Sequence, residues 1–144
     1  MEEVVIVSGA RTPMGAFGGV FKDCSAAYLG ASAIRAAIIR ANVNPDEVDE
    51  VVLGNVLQAE SAGYAPRLAA LNAGIPEEVP AIAINRACSS GLEAINIAAQ
   101  LIKTGEAEIV VAGGIESMSQ SPFLLSYKAR FDGLRLGHSE MRDG

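Results

Sequence analysis

Aromatic residues are scarce in this sequence, and tryptophan is absent. Phenylalanine and tyrosine together supply 5% of the 144 residues, although half of the chain is hydrophobic. The apolar character therefore comes mainly from alanine, valine, isoleucine and leucine. Residues of this kind pack closely in buried parallel strands and in the helices that cover them. The composition favours a tightly packed α/β protein, and the length suits one domain with a substantial core.

The chain also lacks an excess of positive charge and lacks long apolar runs. Its formal net charge is −6, which argues against a nucleic-acid or anionic-membrane partner because both require a basic face. No run of eighteen apolar residues is present, so no transmembrane helix is predicted. Strand-like residues begin at Val4, which leaves no room for a signal or transit peptide. We expect a cytoplasmic protein.

Cysteine and histidine are rare. The two cysteines, Cys24 and Cys88, have no regular spacing, which fits a reducing compartment and predicts neither a disulfide framework nor a metal site. Cys24 precedes the first predicted helix without a nearby base, so we interpret it as an inert small core residue. The single histidine, His138, is interpreted as a solvated or loop-packing side chain.

The predicted strands and helices alternate along the chain, which indicates a mostly parallel sheet with right-handed crossovers and helices on both faces. Ser25 is the expected N-cap of the first helix. Its predicted apolar face comprises Leu29, Ala33, Ala36, Ala37 and Ile38. The predicted strands are 4–7, 51–57, 81–84 and 109–112, and the predicted helices are 25–40, 68–73 and 92–103. We predict one domain over residues 1–120 and the start of an inserted loop subdomain, cut short, over 121–144.

The predicted helix 92–103 has one narrow polar stripe, and all its other residues are leucine, isoleucine or alanine. A helix that is apolar around most of its circumference is expected inside a protein. The stretch before it carries Cys88 at a strand-to-helix turn, beyond the carboxyl end of a strand, where open α/β sheets place their ligands. The helix N-terminus favours an anion such as a thiolate. Cys88 is therefore either a nucleophile or a small buried hydrophobe.

Two glycine-rich loops deserve separate interpretation. The loop 9–19 does not match a dinucleotide fingerprint. In the second loop, Gly113 and Gly114 suit a place where backbone approaches another group closely, and Glu116 is expected to accept nearby backbone N–H bonds. Gly54, inside the predicted second strand, suggests a bulge or a close backbone approach.

Four stretches in order together resemble the thiolase family, and the resemblance covers essentially the whole chain. They are Val5-Ile6-Val7-Ser8-Gly9-Ala10-Arg11-Thr12-Pro13-Met14-Gly15, Gly54-Asn55-Val56, Asn85-Arg86-Ala87-Cys88-Ser89-Ser90-Gly91 and Gly113-Gly114-Ile115-Glu116-Ser117-Met118-Ser119. The similarity is to acetyl-CoA acetyltransferases and related 3-ketoacyl-CoA thiolases, of which this chain resembles the N-terminal part. It implies the N-terminal half of a thiolase-like fold, a dimer or tetramer, and a place in fatty acid metabolism.

The resemblance implies a ping-pong reaction on CoA thioesters without a cofactor. The cysteine matching Cys88 attacks an acyl-CoA and is acylated as CoA leaves, and its backbone N–H contributes to an oxyanion hole. Condensation with a second acetyl-CoA gives acetoacetyl-CoA, and the reverse reaction cleaves a 3-ketoacyl-CoA with CoA. The family's Asn-Glu-Ala and Gly-His-Pro motifs and its second catalytic cysteine do not occur here. This chain is therefore expected to be inactive alone and to require a C-terminal half.

Two alternatives remain open at this point. A condensing enzyme of the ketoacyl-synthase kind shares the fold and the cysteine, although the Cys-Ser-Ser-Gly turn and the Gly-Gly-x-Glu-Ser-Met-Ser stretch fit thiolase better. The second alternative is a non-catalytic subunit that binds a partner through its apolar helix.

Overall fold

The computed structural model describes residues 3–59, 64–132 and 141–143. Two short 3-10 helices, Pro45–Glu47 and Met118–Gln120, connect longer elements. The helices are α1 (Ala26–Ala41), α2 (Ala65–Ala73), α3 (Ser90–Thr104) and α4 (Ala129–Asp132). The strands are β1 (Glu50–Gly54), β2 (Ala81–Ile84), β3 (Val110–Gly114), β4 (Phe123–Leu125) and β5 (Met141–Asp143).

A three-stranded parallel sheet forms the centre of the domain, in the order β2-β1-β3. In its register Val51 lies opposite Ala81 on one side and Val111 on the other. β1 is the middle strand and its Val51 and Val52 are fully buried, as a strand covered on both faces requires. Because parallel neighbours need crossover connections, the helices cover both faces of the sheet. The predicted α/β architecture with a parallel sheet is confirmed.

The two faces of β1 pack against different helices. Val51 and Leu53 belong to the core cluster that also contains Ile34 and Ile38 of α1 and several alanines of α2. Val52 points to the opposite face because residues alternate across a strand. There α3 contacts all three strands and buries Ala94 and Ala98.

The N-terminus of α1 agrees with the sequence prediction, but its buried face does not. Ser25 is the N-cap, and its Oγ accepts a hydrogen bond from the Tyr28 N–H at 3.1 Å. A Cβ added at Gly30 would lie 2.6 Å from Ile115 Cγ2, so this glycine lets the helix approach its neighbours closely. The side of α1 that carries Gly30 is therefore the contact side, and Ile38 is the one residue of the predicted face that it includes. α1 buries Ala26, Ala27, Gly30, Ala31, Ile34 and Ile38, whereas the predicted Leu29, Ala33, Ala36 and Ala37 are half-buried.

The predicted first strand, Val4 to Val7, is wrong. Residues 3–10 have no strand partner among the described residues, and Ile6 is 81% exposed. A cavity of about 850 Å³ lies between this segment and β3, and residues of α1 and α3 also line it. A β-branched sequence becomes a strand only where a neighbour takes its N–H and C=O groups, and here the edge strand is out of reach.

The second predicted strand ends earlier than expected. β1 stops at Gly54 rather than at Leu57, because the backbone N–H groups of Val56 and Leu57 donate to the Glu116 carboxylate instead of a strand. The predicted third strand, Ala81 to Ile84, is confirmed as β2.

This chain buries α3 on one side only, which is the outcome expected where the half that would cover the other side is missing. Among the described residues nothing covers the side of α3 that faces away from the sheet, so Leu92 is 65% exposed and Ile95 40%. The periodicity correctly predicts an apolar surface, but only a packing partner buries it.

The segment after residue 120 begins a separate small sheet. β4 and β5 pair antiparallel, with Phe123 opposite Asp143. The boundary at residue 120 stays a prediction, and His138 lies outside the described residues. Within the described part of the chain, no helix combines the length and apolarity needed to cross a bilayer.

Candidate active site

Cys88 lies on the turn between β2 and α3, and its side chain is exposed. The predicted strand-to-helix position is therefore confirmed, and the reading of Cys88 as a small buried hydrophobe is wrong. α3 begins two residues later, at Ser90. The Ser89 and Ser90 N–H groups are used inside the turn, where they donate to the Arg86 carbonyl at 3.2 Å and to the Ala87 carbonyl at 3.1 Å.

Gly54 allows the turn to lie directly against the end of β1. A Cβ added there would lie 2.5 Å from the Ser90 carbonyl carbon and 2.6 Å from the Gly91 nitrogen. Both atoms are backbone, so no side-chain rotation could relieve the overlap. The prediction that another backbone approaches Gly54 closely is thus confirmed, because the start of α3 packs directly against the end of β1.

Gly114, at the end of β3, contacts the same turn from the other side. A Cβ on Gly114 would lie 3.4 Å from the Gly91 Cα, at the short limit of ordinary van der Waals contact. The turn that carries Cys88 therefore lies between the carboxyl ends of β1 and β3 and directly follows β2. This is the edge at which open parallel sheets bind their ligands.

The Glu116 carboxylate holds the loop that follows β1. Its Oε2 accepts from the backbone N–H of Val56 at 3.0 Å and of Leu57 at 3.2 Å. Its Oε1 accepts from the Asn55 side-chain amide at 3.0 Å. The expectation that Glu116 accepts backbone N–H bonds is confirmed. One carboxylate satisfies three donors at the rim of the site.

Asn55 is a buried polar residue that the sequence did not single out. It is 1% exposed, and its Nδ2 donates to the Ile115 carbonyl at 3.3 Å as well as to Glu116. Its Oδ1 has no hydrogen-bond partner within the described ranges. The amide orientation is fixed because both neighbours on the Nδ2 side are acceptors. The signal in the sequence was its place in Gly54-Asn55-Val56, one of the four stretches named above, but no role was predicted for it.

Cys88 lines a cavity of about 700 Å³. Arg11 and Glu116 are the charged residues among the described lining residues, and Met14, Leu29 and Met118 give it a largely apolar wall. An exposed thiol beside apolar space suits attack on a carbonyl that carries a short acyl group.

Among the described residues, no hydrogen bond joins the Cys88 thiol to an ionisable side chain. Arg86, next to the turn, forms an ion pair with Glu93 in the first turn of α3. No group of three or more His, Cys, Asp or Glu side chains among residues 3–59, 64–132 and 141–143 could hold a metal ion. Cys24 is half-buried, and its carbonyl accepts from the Ser117 hydroxyl at 2.7 Å.

Among the described residues, the two carboxyls with shifted pKa lie at the other end of β1. The backbone N–H groups of Ile109 and Glu108 lower the pKa of Asp49. Burial, reinforced by the charge of Glu106, raises the pKa of Glu50. Both groups precede or begin the strand whose far end meets the Cys88 turn, so they bear on stability rather than on the site.

Comparison with known proteins agrees with this geometry. Residues 4–144 match the family described as thiolase, N-terminal domain. The chain belongs to the thiolase family. A probable acetyl-CoA acyltransferase of Staphylococcus aureus is 50% identical over 143 residues, and one of Staphylococcus epidermidis is 48% identical over the same length. Each alignment covers 99% of this chain and 36% of the relative.

The structural comparison points to the same family. The crystal structure of the acetyl-CoA acetyltransferase of Bacillus anthracis superposes with a TM-score of 0.89 at 44% identity. The match covers 96% of this thiolase chain and 35% of the Bacillus protein. The chain thus spans about a third of the length of the relatives it matches. The resemblance noted in the sequence is confirmed.

Proposed function

We propose that this chain carries the nucleophile of a thiolase-type acyltransferase and that Cys88 is that nucleophile. The thiolate attacks the carbonyl carbon of an acyl-CoA thioester, a new carbon–sulfur bond forms, and CoA leaves as its thiolate. A second acetyl-CoA, deprotonated at its methyl carbon, then attacks the acyl-enzyme and releases acetoacetyl-CoA. The reverse sequence cleaves a 3-ketoacyl-CoA with CoA.

The observation that carries this proposal is the exposed thiol of Cys88 at the N-terminus of α3, on the wall of a largely apolar cavity. The positive end of the α3 dipole lies beside the thiol, where the charge of the reaction develops. The same terminus provides backbone donors for the oxyanion that develops on the thioester, and we assign the Cys88 N–H to that oxyanion hole.

The complete reaction requires groups that the described part of this chain does not supply. A nucleophilic cysteine normally works with a neighbouring base, and a second base must deprotonate the incoming acetyl-CoA. We propose that the region of the protein corresponding to the rest of its relatives supplies both. The uncovered face of α3, with Leu92 and Ile95 exposed, is the surface against which we expect that region, or another copy in a dimer or tetramer, to pack. CoA thioesters are the proposed substrates, no cofactor is proposed, and the cytoplasm remains the predicted location.

Acetylation by acetyl-CoA tests the nucleophile directly. The chain is incubated with acetyl-CoA, and the acetyl group is located by peptide mass spectrometry in wild type, Cys88→Ala and Cys24→Ala. We expect acetyl transfer to Cys88 in wild type and in Cys24→Ala. Transfer to Cys88 no faster than to a free heptapeptide of residues 85–91 would contradict the proposal.

Turnover tests the requirement for further groups. The 144-residue chain should show no acetoacetyl-CoA thiolysis, because the two bases are absent from its described part. Thiolysis that disappears in Cys88→Ala would show that the chain is self-sufficient.

A non-catalytic role in binding a partner is the second candidate, favoured by the exposed apolar residues of α3. Such a role requires no reactivity at Cys88, so the acetylation experiment separates the two.

A further inference from the structure

We propose that Asn85 and Ser90 are positioning residues, which hold Ala87 in a left-handed backbone conformation and thereby aim the backbone and side chain of Cys88. The importance of this arrangement for acyl transfer rests on the proposed function. The arrangement itself rests on the hydrogen bonds of the turn.

Ala87 has a φ of 49°, in the left-handed region. A residue with a Cβ seldom adopts this conformation, because the Cβ crowds the following carbonyl oxygen. The residue immediately before the proposed nucleophile is therefore strained. Without contacts that hold it, Ala87 would return to a commoner conformation, and the direction of Cys88 would change with it.

Both backbone polar groups of Ala87 are held by side chains. Its N–H donates to Asn85 Oδ1 at 3.1 Å, and its carbonyl accepts from the Ser90 hydroxyl at 2.6 Å. The Ser90 backbone N–H donates to the same carbonyl at 3.1 Å. The two side chains thus hold Ala87 from opposite ends.

Each of the two holding side chains is itself anchored. Asn85 Nδ2 donates to the Val56 carbonyl at 3.3 Å, which ties the turn to the loop after β1. Ser90 is 4% exposed, and its Oγ also accepts from the Arg86 N–H at 2.8 Å. Gly54, the last residue of β1, packs against Ser90. These contacts fix the two side chains that hold Ala87 in position relative to the sheet.

The peptide bond between Ala87 and Cys88 links this hold to the chemistry. A trans peptide is planar, and its C=O and N–H point in opposite directions. Because the Ala87 carbonyl points at the Ser90 hydroxyl, the Cys88 N–H must point away from Ser90. The Ser90 hydroxyl therefore orients the N–H that the proposed oxyanion hole uses, although it touches no reacting atom.

Ser89 provides a matched control. Its hydroxyl donates to the Arg86 carbonyl at 2.9 Å, and its side chain is exposed. It is a neighbouring serine on the same turn that makes no side-chain hydrogen bond to Ala87. Ser89→Ala therefore removes a hydroxyl group, as Ser90→Ala does, but it leaves the side-chain hydrogen bonds to Ala87 in place.

The experiment measures iodoacetamide alkylation of Cys88 by peptide mass spectrometry, with Cys24 in the same molecule as an indicator of global unfolding. In Ser90→Ala and Asn85→Ala we expect the Cys88 rate to fall by roughly five- to thirty-fold, the factor that corresponds to the strain of one left-handed residue. Ser89→Ala should stay within about two-fold of wild type, because Ser89 makes no side-chain hydrogen bond to Ala87.

A substitution of Ala87 provides the rescue. Glycine adopts positive φ without strain, so the loss caused by Ser90→Ala should be several-fold smaller when Ala87→Gly is also present. A role of Ser90 limited to general stability would not produce this coupling, because it would act equally with alanine or glycine at residue 87.

Three results would overturn the proposal: equal Cys88 rates in Ser90→Ala and Ser89→Ala, an unchanged loss in the Ala87→Gly background, or an unchanged rate in Asn85→Ala. If Ser90→Ala raises the Cys24 rate and so unfolds globally, Asn85→Ala decides, since Asn85 is exposed. Failure of acetyl transfer in wild type would refute the proposed function alone, since alkylation requires no acyl-CoA.

Discussion

Replacing Gly54 with alanine should destabilise the domain and displace Cys88 together. The new Cβ would lie 2.5 to 2.7 Å from the Ser90 carbonyl carbon, the Gly91 nitrogen and the Ser90 Cβ. Overpacking of a core costs about 1–3 kcal/mol, and we expect the upper end because the atoms met are almost all backbone. The lower entropy of the unfolded chain offsets only about 0.4–1 kcal/mol. A net loss of about 2 kcal/mol in the free energy of unfolding follows.

Gly9→Ala is the matched control for this substitution. No atom lies within 4 Å of a Cβ at Gly9, so the same chemical change there should be neutral or slightly stabilising. Urea unfolding followed by far-ultraviolet circular dichroism is the suitable assay, because the chain has no tryptophan. The Cys88 alkylation rate should fall in Gly54→Ala and not in Gly9→Ala. Unfolding free energies of the two variants within about 0.5 kcal/mol of each other would refute the reasoning.

Four further substitutions probe other parts of the structure. Glu116→Gln replaces an acceptor of three hydrogen bonds with a side chain that carries a donor, so it should lower the free energy of unfolding by about 1–2 kcal/mol. Hydrogen exchange should become faster at the amides that follow β1, and unchanged exchange would contradict this. The folded-state pKa of Asp49 is lowered, so its contribution is present above its ordinary value of 3.8 and is lost as the pH falls through the folded value. Asp49→Asn should flatten the acid limb of stability against pH, and an equally steep limb would count against it. Glu50 has a raised pKa, so stability falls as the pH rises through the range above 4.5; Glu50→Gln should be more stable than wild type at pH 7 and equal at pH 3, as denaturation at both values would show. Leu92→Lys places a charge on the uncovered face of α3 and should therefore reduce association of the chain, as measured by sedimentation velocity. A wild-type chain that is monomeric at all concentrations would disprove the role of that face.

The features that the sequence predicts well depend on short stretches. Ser25 caps α1 because its hydroxyl reaches a donor three residues on, and Gly74 ends α2 in a left-handed conformation. Cys88 lies at the turn because a β-branched run changes to helical residues there. In each case the interacting atoms are a few residues apart, so local preference and native structure coincide.

The failures of prediction involve neighbours that are distant in sequence. Val4 to Val7 have strong strand preference, yet no strand forms, since a strand requires a partner and the nearest edge lies across a cavity. The contact face of α1 was misplaced because Gly30 admits Ile115, which lies 85 positions away. The apolar surface of α3 was predicted, but apolar periodicity does not say which residues cover that surface.

The sequence by itself determined the alternation of strands and helices, the family and the residue at the centre of the candidate site. Only the tertiary structure decided how that residue is held. The side chains of Glu116 and Asn55 form a hydrogen bond across 61 positions, Gly54 contacts the start of α3, and Ala87 adopts a conformation that alanine by itself avoids. The contacts of Gly54, Asn55 and Glu116 bring groups from separate strands to one edge of a parallel sheet, and no local preference encodes that meeting. Ala87 is held by side chains of its own turn, and Asn85 ties that turn to the loop after β1.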